Sequence, residues 1–349
     1  MRATDAAIDF IHRTRLEDIP PDVQHLGKRA ILDTVGVSIA AARDEAVAVL
    51  SETLAGRQGA PTATVIGRDR RTDALSAALI NGVLAHALDF DDVNDSCMGH
   101  PSAPLAPAVL ALGEELGASG ARVLEAFLIG FELECKLGLA IGNAHYAKGW
   151  HATATTGTVA AAAACAKLLG LDRERIGMAL GIAASSSAGM RINFGTMTKP
   201  FHVGQAARGG LMAALLASNG FTASADILDH PIDYTRVFAD KDEADSSRIV
   251  GTLGNPWDIV SPGLVVKKYP CCNSTHRTID ATLSLVSRHS PSPAEIESVV
   301  ITMPPGEDIP LIYSRASTGL EGKFSMQYLS LIHISEPRDG LLSRMPSSA

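Results

Sequence analysis

The sequence predicts a mainly α fold: a large all-helical domain followed by a smaller α+β lid domain. Apolar residues recur at spacings of three and four through residues 5–224, between short Gly, Pro or Asp breaks. β-branched runs are confined to late segments, GLVVK at 263–267 and SVVITM at 298–303. The turn-rich stretch GNPWDIVSP at 254–262 follows a charged segment and sets the boundary near Pro262, giving expected domains of residues 1–262 and 263–328.

The amino terminus meets charge at Arg2, Asp5, Asp9, His12 and Arg13 before any apolar run, so no signal peptide is expected there. Residues 23–42 form the first long helix, with Val23, Leu26, Ala30, Val37 and Ala41 along one face. The alanine-rich run 158–169, broken by Lys167, is far short of the ~20 apolar residues of a membrane span, so it reads as a buried helix and no membrane partner is expected. Residues 203–218 (VGQAARGGLMAALLAS) place small side chains where helices must approach closely. Gly209 and Gly210 would each cost an isolated helix roughly 1 kcal/mol relative to Ala, which tertiary packing has to offset.

A net charge of −8 argues against a nucleic-acid surface, which needs Lys and Arg in excess over a whole face. Cys97, Cys135, Cys165, Cys271 and Cys272 form no CxxC pair, which fits reduced thiols in a cytoplasmic protein. The last residues, 329–349, depart in style. LSLIHISEP is the translation of CTG TCT CTT ATA CAC ATC TCC GAG CCC, which resembles the mosaic-end adapter of transposase-based sequencing libraries, and SRMPSSA resembles that adapter's flow-cell end. The expectation is therefore a native sequence ending near Tyr328, no role for His333, Arg338 or Arg344, and apolar lid surface left exposed.

Four segments carry candidate chemistry. In AHALDFDDVNDSCMGHPSAP (85–104), Asp89, Asp91, Asp92 and Asp95 precede His100; this is either an Asp loop capping helices or a divalent-ion loop, without the Gly turn and terminal Glu of a calcium site. His100, ahead of Pro101 and Ser102, is placed at a helix start whose free N–H groups suit a substrate carboxylate. In GWHATATTGT (149–158), His151 is either a structural cap or a functional imidazole among threonine hydroxyls. In GTMTKPFHVGQAARGG (195–210), Lys199 is expected in extended backbone before Pro200, with His202 nearby to help hold an anion. KKYPCCNSTH (267–276) offers two lysines and two thiols; a nucleophilic cysteine would need a base and an oxyanion site, so a packing role leads.

Taken together with ILDTVG at 31–36 and KFSMQY at 323–328, these segments in this order resemble the MmgE/PrpD family over residues 5–328. The resemblance implies a helical domain plus an α+β lid with the active site between them, no metal, no organic cofactor and a homodimer. It also implies a lyase that dehydrates a small hydroxy-polycarboxylate such as 2-methylcitrate, with cis-aconitate-type decarboxylation or amino-dicarboxylate epimerisation as alternatives; a non-catalytic helical binding protein is the reading of another class. Carried over by motif, the catalytic positions are Asp89, His100, His151 and Lys199, and the substrate-binding positions are Lys267, Cys272 and Tyr313. Cys272 stands where decarboxylating relatives carry a lid histidine, which favours dehydration. Breaking a bond next to a carboxylate builds enolate-like charge that lysines stabilise, while imidazoles move the proton.

Overall fold

The computed structural model describes residues 2–240 and 243–335. Helices α1 (Ala3–Arg13), α2 (Pro21–Ala40) and α3 (Glu45–Thr53) lead into a short hairpin, β1 (Ala63–Thr64) and β2 (Arg71–Thr72). The helical body continues through α4 (Ala74–His86), α5 (Ser102–Leu116), α6 (Gly120–Ile141), the short α7 (Ala144–Ala147), α8 (Ala152–Leu169), α9 (Arg173–Ser186), α10 (Thr198–Ser218) and the short α11 (Tyr234–Phe238). The last part holds α12 (His276–His289), the single turn α13 (Gly319–Gly322) and α14 (Met326–Ser335).

Local chemistry sets the ends of these helices. Asp73, Ser119 and Asp172 cap α4, α6 and α9 by accepting a backbone N–H with the side chain. Gly117 and Gly170, left-handed at φ 59° and 68°, close α5 and α8. The alanine-rich α8 lies at the centre of the bundle, buried along almost its whole length between α5, α6, α9 and α10. By length and composition it could cross a membrane; its burial identifies it as a core helix of this fold.

Small residues bring α4 and α10 together. A Cβ added at Gly82 would stand 2.6 Å from the Gly204 Cα, and one at Gly204 would stand 2.4 Å from the Leu79 carbonyl oxygen. Gly210 is equally tight against Ala161 of α8, whereas Gly209 has ordinary room, 3.5 Å from Thr158, so only one of the two expected close-approach glycines is required by packing. One turn on from Gly82 lies His86, and just over one turn back from Gly204 lies Lys199. The glycine crossing thus places the end of α4 against the start of α10.

Two strand expectations change. Residues 298–303 adopt no strand, because among the described residues no neighbouring strand offers them a ladder, and Val300 is left 86% exposed. Within 263–267 only Val265 pairs, in an antiparallel bridge to Val93 with both N···O distances 2.9 Å. The hairpin of β1 and β2 was not foreseen; its strands are two residues each, too short to show a period. In the last part, Tyr269, Cys271, Ile279 and Leu329 form a small core of their own. Helix α14 crosses Tyr328 without a break, and His333 bonds the Leu329 carbonyl of its own helix at 2.6 Å. Arg338 and Arg344 lie outside the described residues.

Candidate active site

The chain leaves α4 at His86 and turns at once. Asp89, whose N–H bonds the His86 carbonyl at 3.1 Å, is held left-handed at φ 52°. An aspartate tolerates this conformation better than most residues, and such strain concentrates at working sites. The loop then doubles back through a bridge between Asn94 and Gly99, and the His100 N–H donates to the Thr153 hydroxyl at 3.1 Å. A Cβ at Gly99 would meet that hydroxyl at 2.9 Å, so the glycine permits the close approach. His100 is thereby folded over Asp89 and Asp91.

Around Asp89 the charges converge. Its Oδ1 accepts from the Lys199 ammonium at 2.8 Å and lies 3.3 Å from the Lys267 Nζ. Lys267 also donates to the Asp89 carbonyl at 2.8 Å, and Lys323 donates to the Ala87 carbonyl at 2.8 Å. Lys199 packs over the rings of Phe194 and Phe324, 4.9 and 5.0 Å from their centroids. Burial alone would raise the Asp89 carboxyl, but the ammoniums of Lys199 and Lys267 outweigh it and hold it well below the usual carboxylate range. Burial works against Lys267 too, and Asp89 with Asp91 more than restores its charge. Lys323 is pushed down by burial.

The imidazoles form a second layer. His86 Nδ1 lies 2.7 Å from Asp91 Oδ2, and its Nε2 lies 2.7 Å from the Lys199 Nζ. An ammonium can only donate, so Nε2 accepts and Nδ1 carries the proton to Asp91. Burial first, and Lys199 besides, pushes His86 down to about 3, which keeps it neutral. His100 stands edge-on to His86, ring centroids 4.6 Å apart, with Nδ1 3.2 Å from Asp91 Oδ2 and Nε2 3.8 Å from Asp89 Oδ1. His151 stacks on His86 at 5.6 Å, and its Nδ1 meets His202 Nδ1 at 3.2 Å. Asp89 Oδ2 and His151 Nε2 are buried with no partner among the described residues, open valences that a bound substrate can fill.

His86, Asp89, Asp91 and His100 can each present one ligand atom within 4.8 Å of the others, the arrangement a metal ion would need. The Lys199 ammonium already binds two of these atoms, His86 Nε2 and Asp89 Oδ1, and a divalent cation would have to enter against its charge and that of Lys267. The donor set fits an anion site better than a metal site.

The structure brings Asp89, His151, Lys199 and Lys267, all buried, and the partly exposed His100 into one cluster. Cys272 joins from the side, packed with Phe194 and Phe324, and burial raises its thiol, which suits packing rather than nucleophilic attack. All five cysteines are buried and free. Tyr313 adjoins the same apolar patch, but its hydroxyl donates to the Phe194 carbonyl at 2.8 Å.

Several local expectations are corrected. Lys199 sits inside the first turn of α10, not in extended backbone, because a proline in that turn forfeits no hydrogen bond and the ion pair with Asp89 rewards the turn. The free N–H groups ahead of α5 are partly taken already: Asp92 accepts from the Ser102 N–H at 3.2 Å and from its hydroxyl. Burial pushes Asp92 up to about 8, so it serves the helix start and leaves His100 to act through its ring. His151 precedes α8 without capping it by its side chain, which removes the structural-cap reading. His202, pushed down to about 4 by burial and Lys199, is a neutral partner of His151 and adds no charge for an anion. His86 and Lys323 escaped residue-level reading; their signals were the HALDFDD and KFSMQY segments that contain them.

The sequence model of the MmgE/PrpD N-terminal domain matches residues 6–247, and that of the MmgE/PrpD C-terminal domain matches residues 269–330. The chain belongs to the MmgE/PrpD family. It is 30% identical over 319 residues to a cis-aconitate decarboxylase of Homo sapiens, covering 86% of this chain and 64% of that protein. Over 320 residues it is 29% identical to the Mus musculus protein of the same name, covering 86% of this chain and 63% of the relative. To the cis-aconitate decarboxylase of Aspergillus terreus it is 30% identical over 285 residues, 78% of this chain and 58% of the relative. The chain therefore spans somewhat less than two thirds of the length of these curated relatives.

Proposed function

We propose that the chain is a lyase acting on a small polycarboxylate, with decarboxylation of a cis-aconitate-type substrate as the leading reaction. One observation carries the reading: three buried lysines, Lys199, Lys267 and Lys323, gather around the turn at Asp89 beside two imidazoles with proton-transfer capacity. A buried excess of cationic groups is costly without a multiply charged anion to meet it. The names of the relatives support the choice of acid.

In such a reaction the bond from carbon to the leaving carboxylate breaks and CO2 departs. Its electron pair spreads through the adjacent double bond onto a remaining carboxylate, where Lys199 and Lys267 stabilise the charge. A proton then adds to carbon, from His151 or His100. Neutral His151 can donate or accept at Nε2, an atom with no partner among the described residues. Asp89, held ionised, orients both lysines.

A second reaction, dehydration of a hydroxy-tricarboxylate such as 2-methylcitrate, is favoured by Cys272. A buried, neutral thiol occupies the lid position where the resemblance expects an imidazole in decarboxylases. Incubating the purified chain with cis-aconitate and with 2-methylcitrate, while following CO2 release and formation of the unsaturated acid, separates the two. CO2 release from cis-aconitate that falls ~100-fold or more in Lys199→Ala and His151→Ala is the expected result. Absence of both activities, with Lys199→Ala no different from the parent in binding a tricarboxylate, refutes the lyase reading.

A further inference from the structure

His202, which adds no charge to the cluster, stands between two compartments. On one side its Nδ1 meets the Nδ1 of His151, a residue only 2% exposed, at 3.2 Å. On the other side, half-buried, it lines a cleft of about 690 Å³ together with Trp150, Gly189, Met190, Phe201 and Arg208. The two rings lie 5.4 Å apart by centroid. Gly189, at φ 133°, lies against both: its carbonyl accepts the His151 N–H at 3.0 Å, and a Cβ there would crowd Ala154 at 3.0 Å and touch both histidine side chains at 3.4 Å.

We infer that His151 and His202 form a two-residue proton relay connecting the buried site to water in the cleft. Two facing Nδ1 atoms can bond only if one ring donates and the other accepts, so the pair shares one proton and their tautomers are linked. With the proton on His202 Nδ1, His151 carries its own on Nε2 and is an acid toward the site. As His151 Nε2 gives that proton to the substrate carbon, the His202 Nδ1 proton passes to His151 Nδ1, and a water in the cleft protonates His202 Nε2. One proton enters and one C–H bond forms; both rings are neutral before and after, with tautomers exchanged. Once product has left, water entering the open site gives a proton to His151 Nε2, the His151 Nδ1 proton returns to His202 Nδ1 and the His202 Nε2 proton leaves to the cleft, so the relay supplies its proton during the closed step and is reset from bulk water. Burial and the nearby Lys199 push both imidazoles down, His202 to about 4 and His151 further, which keeps the pair in the neutral forms the relay uses. This rests on the proposed decarboxylation, which takes up one proton per turnover.

The test replaces the relay atom while keeping a hydrogen bond. In the full chain, His202→Gln should lower kcat on cis-aconitate ~10- to 100-fold with KM little changed, since a glutamine cannot pass a proton on. His202→Ala should lose a similar amount and recover several-fold when imidazole is added, with recovery following the basicity of a series of substituted imidazoles. A merely structural His202 would show no rescue of that kind, and undiminished kcat in His202→Gln overturns the relay. Ring-nitrogen NMR of the ligand-free chain gives a readout that needs no turnover: a shared N–H···N signal between the two imidazoles is expected, lost in His202→Gln. If the parent chain turns over no polycarboxylate, the reaction assigned above fails, and that spectrum still decides the relay. Its absence in the parent overturns it.

Discussion

Replacing Asp89 by Asn tests the electrostatic centre of the site while keeping its shape. Asp89 Oδ1 lies 2.8 Å from one ammonium and 3.3 Å from another. At an effective dielectric of ~20 these pairs amount to about 6 and about 5 kcal/mol of gross attraction. Desolvation cancels much of that, and removing one partner of a buried pair typically costs a net ~3–5 kcal/mol. For a chain of this size the melting temperature should fall by roughly 4–7 °C. Tricarballylate, a saturated tricarboxylate with no group to eliminate, should restore part of the loss and stabilise Asp89→Asn more than the parent, because the lysines then lack their protein counter-ion. At saturation near 100 times its dissociation constant the added stability would be about 2.7 kcal/mol. The pH dependence has a definite sign. The Asp89 carboxyl is depressed in the folded chain, so its stabilisation is full above the unfolded value, about 3.9, and is lost as pH falls through the lower folded value. The gap between the two proteins should therefore close only in acid. Thermal melts followed by near-ultraviolet circular dichroism would refute the reasoning if Asp89→Asn melted with the parent at pH 7, or if tricarballylate raised both equally.

Asp92 should behave in the opposite way. Its carboxyl rises to about 8 on folding, so the folded chain holds an extra proton between pH 4 and 8 and stability falls as pH rises through that window. Asp92→Asn, which can still accept from Ser102, should flatten this stretch of the urea-derived stability profile; an unchanged slope would count against a buried protonated acid. Helix α10 offers a paired test, because an added methyl at Gly204 meets the Leu79 carbonyl at 2.4 Å while one at Gly209 meets only Thr158, at 3.5 Å. Gly204→Ala should cost ~1–3 kcal/mol and also reduce turnover by parting His86 from Lys199, whereas Gly209→Ala should gain roughly 0.5–1 kcal/mol in urea titrations. With all five thiols buried, a colorimetric disulfide reagent should react with none of them before unfolding. Rapid labelling of Cys272 in the native chain would show that the patch with Phe194 and Phe324 opens.

The helical body was readable because its signal is local. Apolar spacing of three and four, Gly, Pro or Asp breaks, and small residues in 203–218 all act within a few turns of chain, and α8 and α10 follow directly. The strand expectation at 298–303 failed because strand formation is not local: SVVITM has the composition of a strand, yet composition supplies no partner, and these residues have none among the described residues. Backbone readings at Lys199 and at the start of α5 failed for a related reason. An ion pair with Asp89, distant in sequence, outweighs the bias of a residue before proline, and Asp92 takes the helix start that looked free. No periodicity reports such long-range charge pairing.

The same distinction explains why the candidate site was found and its internal order was not. Motif resemblance supplied Asp89, His100, His151, Lys199 and Lys267 as a set. Their roles depend on which atoms face each other, and that is decided by the Gly82–Gly204 crossing and by the Val93–Val265 bridge. The first sets His86 against Lys199. The second ties the aspartate loop to the segment that carries Lys267, so the two halves of the cation pair around one carboxylate come from distant parts of the chain. A site built this way has a consequence for its chemistry. Moving the 263–267 segment away from Val93 would withdraw Lys267 and leave Asp89 with Lys199 alone, so an anion that uses Lys267 requires this segment to be seated. Replacing Val265 by Pro, which removes the N–H that donates to the Val93 carbonyl, should therefore raise the KM for a tricarboxylate while leaving the helical body's circular dichroism unchanged. An unaltered KM would mean that Lys267 is held in place by its bonds to Asp89 alone.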